Sequence, residues 1–156
     1  MPVKKDLKIM LADDDEDDRE LFAQAVASSL PQARLTTAEN GCMLLQKLTD
    51  SPVEALPDVL FLDMNMPLKN GKECLAEIRA SESLANIPVI IYSTSGNQEQ
   101  VDEMYEQGAD RYIRKPSSFS VLKEVMELIG SMDWSDHQRP DRQDFVLLQS
   151  PKNMQR

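Results

Sequence analysis

Short apolar runs alternate five times with longer stretches in which apolar residues recur every three or four positions. The runs predict strands at about 7–12, 34–38, 58–62, 88–93 and 111–114, and the periodic stretches predict helices at about 15–29, 41–50, 71–80, 98–107 and 118–129. The last helix is the clearest. Leu122, Val125, Met126 and Ile129 fall at i, i+3, i+4 and i+7, with Ser117 or Ser118 as N-cap and Gly130 as terminator. The second begins at Asn40-Gly41 and turns Leu44, Leu45 and Leu48 inward, while the first presents Phe22, Ala25, Val26 and Leu30. Val59-Leu60-Phe61-Leu62 and Val89-Ile90-Ile91-Tyr92 are unbroken apolar runs, as expected of parallel strands covered on both faces. Strict β–α alternation with right-handed crossovers points to an α/β fold, a doubly wound five-stranded parallel sheet.

The pattern stops after Gly130. Residues 131–156 hold Trp134, the single histidine (His137), Pro140, a strand-like Phe145-Val146-Leu147-Leu148 and a polar end, with Pro151–Arg156 expected to be disordered. The expected organisation is therefore one domain over 1–130 and a C-terminal tail over 131–156, too short for an output domain. Trp134 and Phe145–Leu148 leave two roles open: packing on the domain itself, or a homodimer or partner contact.

Composition narrows the class without changing it. A chain of 156 residues, 41% apolar and 28% charged, suits one ordinary globular domain. No apolar stretch approaches the roughly 20 residues of a membrane span. Met1-Pro2-Val3-Lys4-Lys5-Asp6 leads straight into the first strand without a signal-peptide core, so a cytoplasmic protein without a membrane partner is expected. A net charge of -10 argues against direct nucleic-acid binding, which needs phosphate-neutralising Lys and Arg. Cys42 and Cys74 fit no zinc-ligand spacing and read as free thiols in helices.

The candidate chemistry lies at the strand ends. Asp13 and Asp14 follow the first apolar run, Asp63 closes the third, Ser93 the fourth and Lys115 the fifth. In a parallel sheet these ends share one rim, so three acids, a hydroxyl and a lysine would meet there. Three carboxylates that disfavour one another's ionisation are tolerated where a cation offsets them. Mg²⁺ suits such a site, since it takes few carboxylates and keeps waters and phosphate oxygens. A strand-end Asp beside a metal can attack phosphorus and become an aspartyl phosphate. The later acids of the run Asp13–Asp18, namely Glu16, Asp17 and Asp18, read instead as solvated helix-start residues that complement the macrodipole.

These motifs together resemble the receiver domain of bacterial two-component response regulators. The resemblance covers Lys8 to about Gly130. It is carried by the acid pair after the first strand, Asp63 in Leu-Asp-Met-Asn-Met-Pro, Pro88-Val-Ile-Ile-Tyr-Ser, and Gly108-Ala-Asp-Arg-Tyr-Ile-Arg-Lys-Pro. It implies a flavodoxin-like sheet of order 2-1-3-4-5, with the site at the switch point between the first and third strands. It implies Asp63 as phosphoacceptor, and Asp13, Asp14, Asp63 and the backbone carbonyl of Asn65 as Mg²⁺ ligands, with Asp14 the more direct of the acid pair. Lys115 would be the second cation, Ser93 the switch hydroxyl and Tyr112 the switch aromatic. Ser93 would move toward the phosphoryl group and open space for Tyr112 to swing inward. The Lys115–Pro116 bond, often cis in relatives, is expected to be cis here. Ser93 stands where Thr is commoner, Thr94 is bulkier than the usual alanine, and Asn65 and Ser95 flank the expected phosphoryl position.

A single-domain response regulator in a phosphorelay follows, with a sensor histidine kinase or histidine phosphotransfer protein as donor and an unnamed protein as target. Such a protein is a phosphoacceptor rather than an enzyme, beyond self-phosphorylation and self-dephosphorylation. His137, in the tail, is a poor internal donor. A haloacid-dehalogenase-type phosphohydrolase also uses a strand-end Asp, but needs a second Asp two residues on, where this chain has Asn65. A degenerate receiver would lack an acid, the acceptor or the lysine, and none is missing.

Overall fold

In the computed structural model, residues 6–135 and 140–147 are described. The expected alternation is present. The strands are β1 (Lys8–Ala12), β2 (Arg34–Ala38), β3 (Val59–Leu62), β4 (Val89–Ser93) and β5 (Arg111–Arg114). The helices are α1 (Glu16–Ser29), α2 (Gly41–Asp50), α3 (Gly71–Ala80), α4 (Gln98–Glu106), α5 (Phe119–Ser131) and a single turn, α6 (Arg142–Phe145). All strand pairs are parallel, in the order β2-β1-β3-β4-β5.

Successive side chains of a strand point to opposite faces, and the core divides accordingly. Ile9, Leu11, Val59, Phe61, Ile90, Tyr92 and Ile113 pack under α1 and α5. Met10, Ala12, Leu60, Leu62, Val89, Ile91 and Tyr112 pack under α2, α3 and α4. On the first face Phe22, Phe61 and Tyr92 form an edge-to-face triad with centroids 4.9–5.8 Å apart. Strands β3 and β4 are buried throughout, while β2 alternates exposed and half-buried positions up to a buried Ala38, as an edge strand does. No described helix is long and apolar enough to cross a membrane.

Helix starts follow local chemistry. Asp15 caps α1 by accepting from the Asp18 N–H, Asn70 and Glu73 close a capping box on α3, and Ser118 caps α5. Three expectations change. Gly130 does not end α5, which runs on to Ser131. A Cβ at Gly130 would lie 2.5 Å from Leu30 Cδ2, so glycine there admits the end of α1 against α5. The Lys115–Pro116 bond is not cis: no described peptide bond is, and trans is the lower form of most X–Pro bonds. Third, Phe145-Val146-Leu147 is not a strand. Phe145 ends α6 and Val146 makes one parallel bridge to Tyr112, which docks this stretch of the tail on the domain. His137, Leu148 and Pro151–Arg156 lie outside the described residues.

Candidate functional site

Backbone pairing continues one residue beyond the strands and brings the chemistry to one rim. The Asp13 N–H donates to Ala38 O (3.0 Å), Asp63 N–H to Ala12 O (3.0 Å) and Lys115 N–H to Ser93 O (2.7 Å). Asp13, Asp14 and Asp63 each offer a carboxylate oxygen within 4.8 Å of the others. Asp13 and Asp63 are buried at 0% and 5% exposure, while Asp14 opens to solvent. A tight approach holds Asp63 from behind: a Cβ on Gly71, the first residue of α3, would collide with the Asp63 carbonyl oxygen.

Lys115 reaches across this group. Its Nζ stands 2.8 Å from Asp13 Oδ2, 2.9 Å from Asp18 Oδ2 and 3.7 Å from Asp63 Oδ2, and 5.4 Å from the Tyr92 ring centroid. Burial lowers the affinity of this lysine for its proton, but its close contacts with Asp13 and Asp18 more than offset that, and its pKa is raised. Burial lifts the Asp63 carboxyl to about 6. Lys115 pulls it back, Asp13 pushes it further, the Asn65 N–H (3.3 Å from Oδ1) lowers it, and Asp14 raises it. The rim therefore sets the carboxylates of Asp13, Asp18 and Asp63 around one ammonium, with Asp14 beside Asp13 and Asp63. Asp13 Oδ2 is buried and has the Lys115 ammonium as its neighbour at 2.8 Å. An all-oxygen donor set of three clustered carboxylates, two of them buried, fits a hard divalent cation.

Ser93 is on the same rim, fully buried, with its hydroxyl turned toward α4. Its Oγ accepts from the Ser95 N–H (3.1 Å) and lies 3.3 Å from Gln100 Nε2. The same amide donates to Tyr112 Oη (2.7 Å), which itself donates to Ser95 O (2.7 Å). Tyr112 is 1% exposed, so its ring already lies inward.

Every residue expected at the site thus falls on or beside one rim. Two participants were not anticipated. Asp18, read as a solvated helix-start acid, is a partner of Lys115; the available signal was its place four residues before Phe22, on the inward stripe of α1. Gln100 links Ser93 and Tyr112, and nothing in its local sequence distinguishes it from the neighbouring glutamines and glutamates of α4.

The fold and this rim define a class. The family model of the response regulator receiver domain matches residues 9–127, and the chain belongs to that family, as a receiver domain of two-component signalling. Chemotaxis protein CheY1 of Helicobacter pylori is 31% identical over 123 residues, covering 79% of this chain and 96% of that protein. Response regulator Rcp1 of Synechocystis is 28% identical over 128 residues, 80% of this chain and 85% of that one. The crystal structure of the Mn(2+)-bound form of Rcp1 superposes with a TM-score of 0.71 at 27% identity, over 86% of this chain and 99% of that one. The phosphorylated cyanobacterial phytochrome response regulator RcpA superposes with a TM-score of 0.73 at 31% identity, over 86% and 99%.

Proposed function

We propose that this chain is a single-domain response regulator that accepts a phosphoryl group on Asp63. The donor is a phosphohistidine of a sensor histidine kinase or histidine phosphotransfer protein, and the output is contact with a downstream protein in the cytoplasm. An Asp63 carboxylate oxygen attacks phosphorus, the P–N bond to the donor imidazole breaks, and the imidazole leaves with the bond's electrons and takes up a proton. The observation that carries this reading is the desolvated Asp63 carboxyl, flanked by two further acids and faced by Lys115.

Asp13, Asp14, Asp63 and the Asn65 backbone carbonyl would hold Mg²⁺. Held there, the ion would supply positive charge against the charge that builds on transfer. That the relative Rcp1 has been crystallised with Mn²⁺ supports a divalent cation at this position. Lys115 supplies the fixed positive charge from this chain. The Ser93 hydroxyl donates to a phosphoryl oxygen, and the inward Tyr112 stays linked to it through Gln100. Phosphorylation adds about -1.5 to -2 charge to a rim already rich in carboxylates. The surface of α4, β5 and α5 then shifts between two populated forms.

Intact-mass analysis with acetyl phosphate and Mg²⁺ tests the assignment. A single phosphoryl adduct is expected for the native chain and none for Asp63→Asn. An equal yield in that variant sinks it.

A further inference from the structure

Residues 140–147 return to the domain against α4 and β5. Phe145 is 1% exposed, and its ring meets Tyr105 at 5.2 Å and Tyr112 at 6.2 Å, both edge-on. The Leu147 N–H donates to Tyr112 O (2.9 Å), and the Arg111 guanidinium to Asp144 O (2.7 Å). Arg142 reaches Asp102 (3.0 Å) and Glu106 (2.6 Å) on α4, with its guanidinium 4.5 Å from the Tyr105 ring centroid. Tyr105 Oη donates to Pro140 O (3.3 Å). This segment is a strap held by packing, pairing and charge.

Tyr112 stands between the strap and the rim. Phe145 backs its ring, and its hydroxyl is spent on donating to Ser95 O, so it needs a donor, which Gln100 Nε2 supplies. The second proton of that amide faces Ser93 Oγ, which also accepts from the Ser95 N–H. A hydroxyl has two lone pairs and one proton. With both lone pairs occupied, the Ser93 proton is left free to donate, which is the role a phosphoryl oxygen would require of it.

We propose that docking of residues 140–147 and occupancy of the acceptor site by a phosphoryl group reinforce each other. Phe145 holds Tyr112 inward, and Gln100 relays that position to Ser93, leaving its hydroxyl poised as a donor. Phe145 and Gln100 are positioning residues. The inference rests on the reading of Asp63 as acceptor. It adds that the inward tyrosine is present before phosphorylation because the strap maintains it. Coupling of this kind is reciprocal, so one factor governs both directions.

Fluoroberyllate with Mg²⁺, a non-covalent phosphoryl mimic, tests this on the full chain. Calorimetry reads its affinity, and amide hydrogen exchange reads protection of Leu147. Binding is expected to raise Leu147 protection roughly tenfold, and Phe145→Ala to weaken binding by a similar factor. Gln100→Leu is expected to leave the strap protected in the free protein but abolish the gain on binding. Should Phe145→Ala fail to fold, Arg142→Ala loosens the same strap from outside the core and is expected to weaken binding in the same sense. Unchanged or faster Leu147 exchange on binding, or native affinity in the strap variant that folds, overturns the coupling. A gain that survives Gln100→Leu overturns the relay. These failures differ from failure of the acceptor reading, in which the native chain neither binds fluoroberyllate nor gains a phosphoryl adduct.

Discussion

Replacing Asp63 by Asn removes the charge whose burial the fold resists, and the apo protein should become more stable. The folded pKa of about 6 stands against 3.8 for the ordinary carboxyl. That difference corresponds to about 3 kcal/mol of destabilisation once the group is ionised in both states. Solvent at the rim screens part of this, leaving roughly 1–2 kcal/mol. The raised pKa means that the folded protein binds the proton more tightly than the unfolded chain. Its favourable contribution is complete below about 3.8 and is lost as pH rises through about 6. The Asn variant should therefore match the native protein near pH 4 and gain on it up to pH 7. For a chain of this size the gain amounts to about 3–6 °C in melting temperature. The Asn amide oxygen can still accept the Asn65 N–H, so the turn is retained. Circular dichroism melts in chelator between about pH 4 and pH 8 measure the difference. A variant that melts at or below the native temperature at pH 7, or an advantage that shrinks as pH rises, refutes the electrostatic account. Mg²⁺ should then narrow or reverse the order, because it binds the native rim better.

Three further outcomes follow from the packing and charge described. Phe22→Ala empties the centre of the aromatic triad and should cost about 3–5 kcal/mol in urea unfolding. A loss under about 1 kcal/mol would mean that the triad collapses around the gap. Gly71→Ala should cost about 1–3 kcal/mol and weaken divalent-cation binding, since the new methyl must displace the backbone of Asp63; calorimetry with Mg²⁺ reads the second effect. Asp18→Asn should lower the Lys115 pKa in a carbon-detected NMR titration, and no change would remove Asp18 from the site.

The parts of the molecule legible in the primary structure are those whose signal is local and repeated. The short apolar runs of the strands and the recurrence of Leu122, Val125, Met126 and Ile129 specify elements without knowledge of their neighbours. Asn40 and Ser118 mark helix starts because an N-cap acts on the next three residues of its own chain. The rim was legible too, because parallel strands put their C-terminal ends on one side and Asp13, Asp14, Asp63, Ser93 and Lys115 each stand at or just past the end of a strand. Asp18 was not, because its position at the start of α1 satisfies two roles equally well. Only the reach of Lys115 decides between them. Gly130 read as a helix stop, whereas in the structure it gives room for Leu30.

The order of residues by itself settles an α/β sheet of five units with its acids, hydroxyl and lysine at strand ends, because hydrophobic burial follows from periodicity within each segment. Tertiary structure alone settles which tips touch: that Lys115 sits nearer Asp13 and Asp18 than Asp63, that Gln100 spans Ser93 and Tyr112, and that Phe145 closes over Tyr112. Those contacts join residues as far apart in the chain as Asp13 and Lys115, and ångström differences in distance decide them. No local pattern records such a distance, because it depends on how all five βα units pack at once.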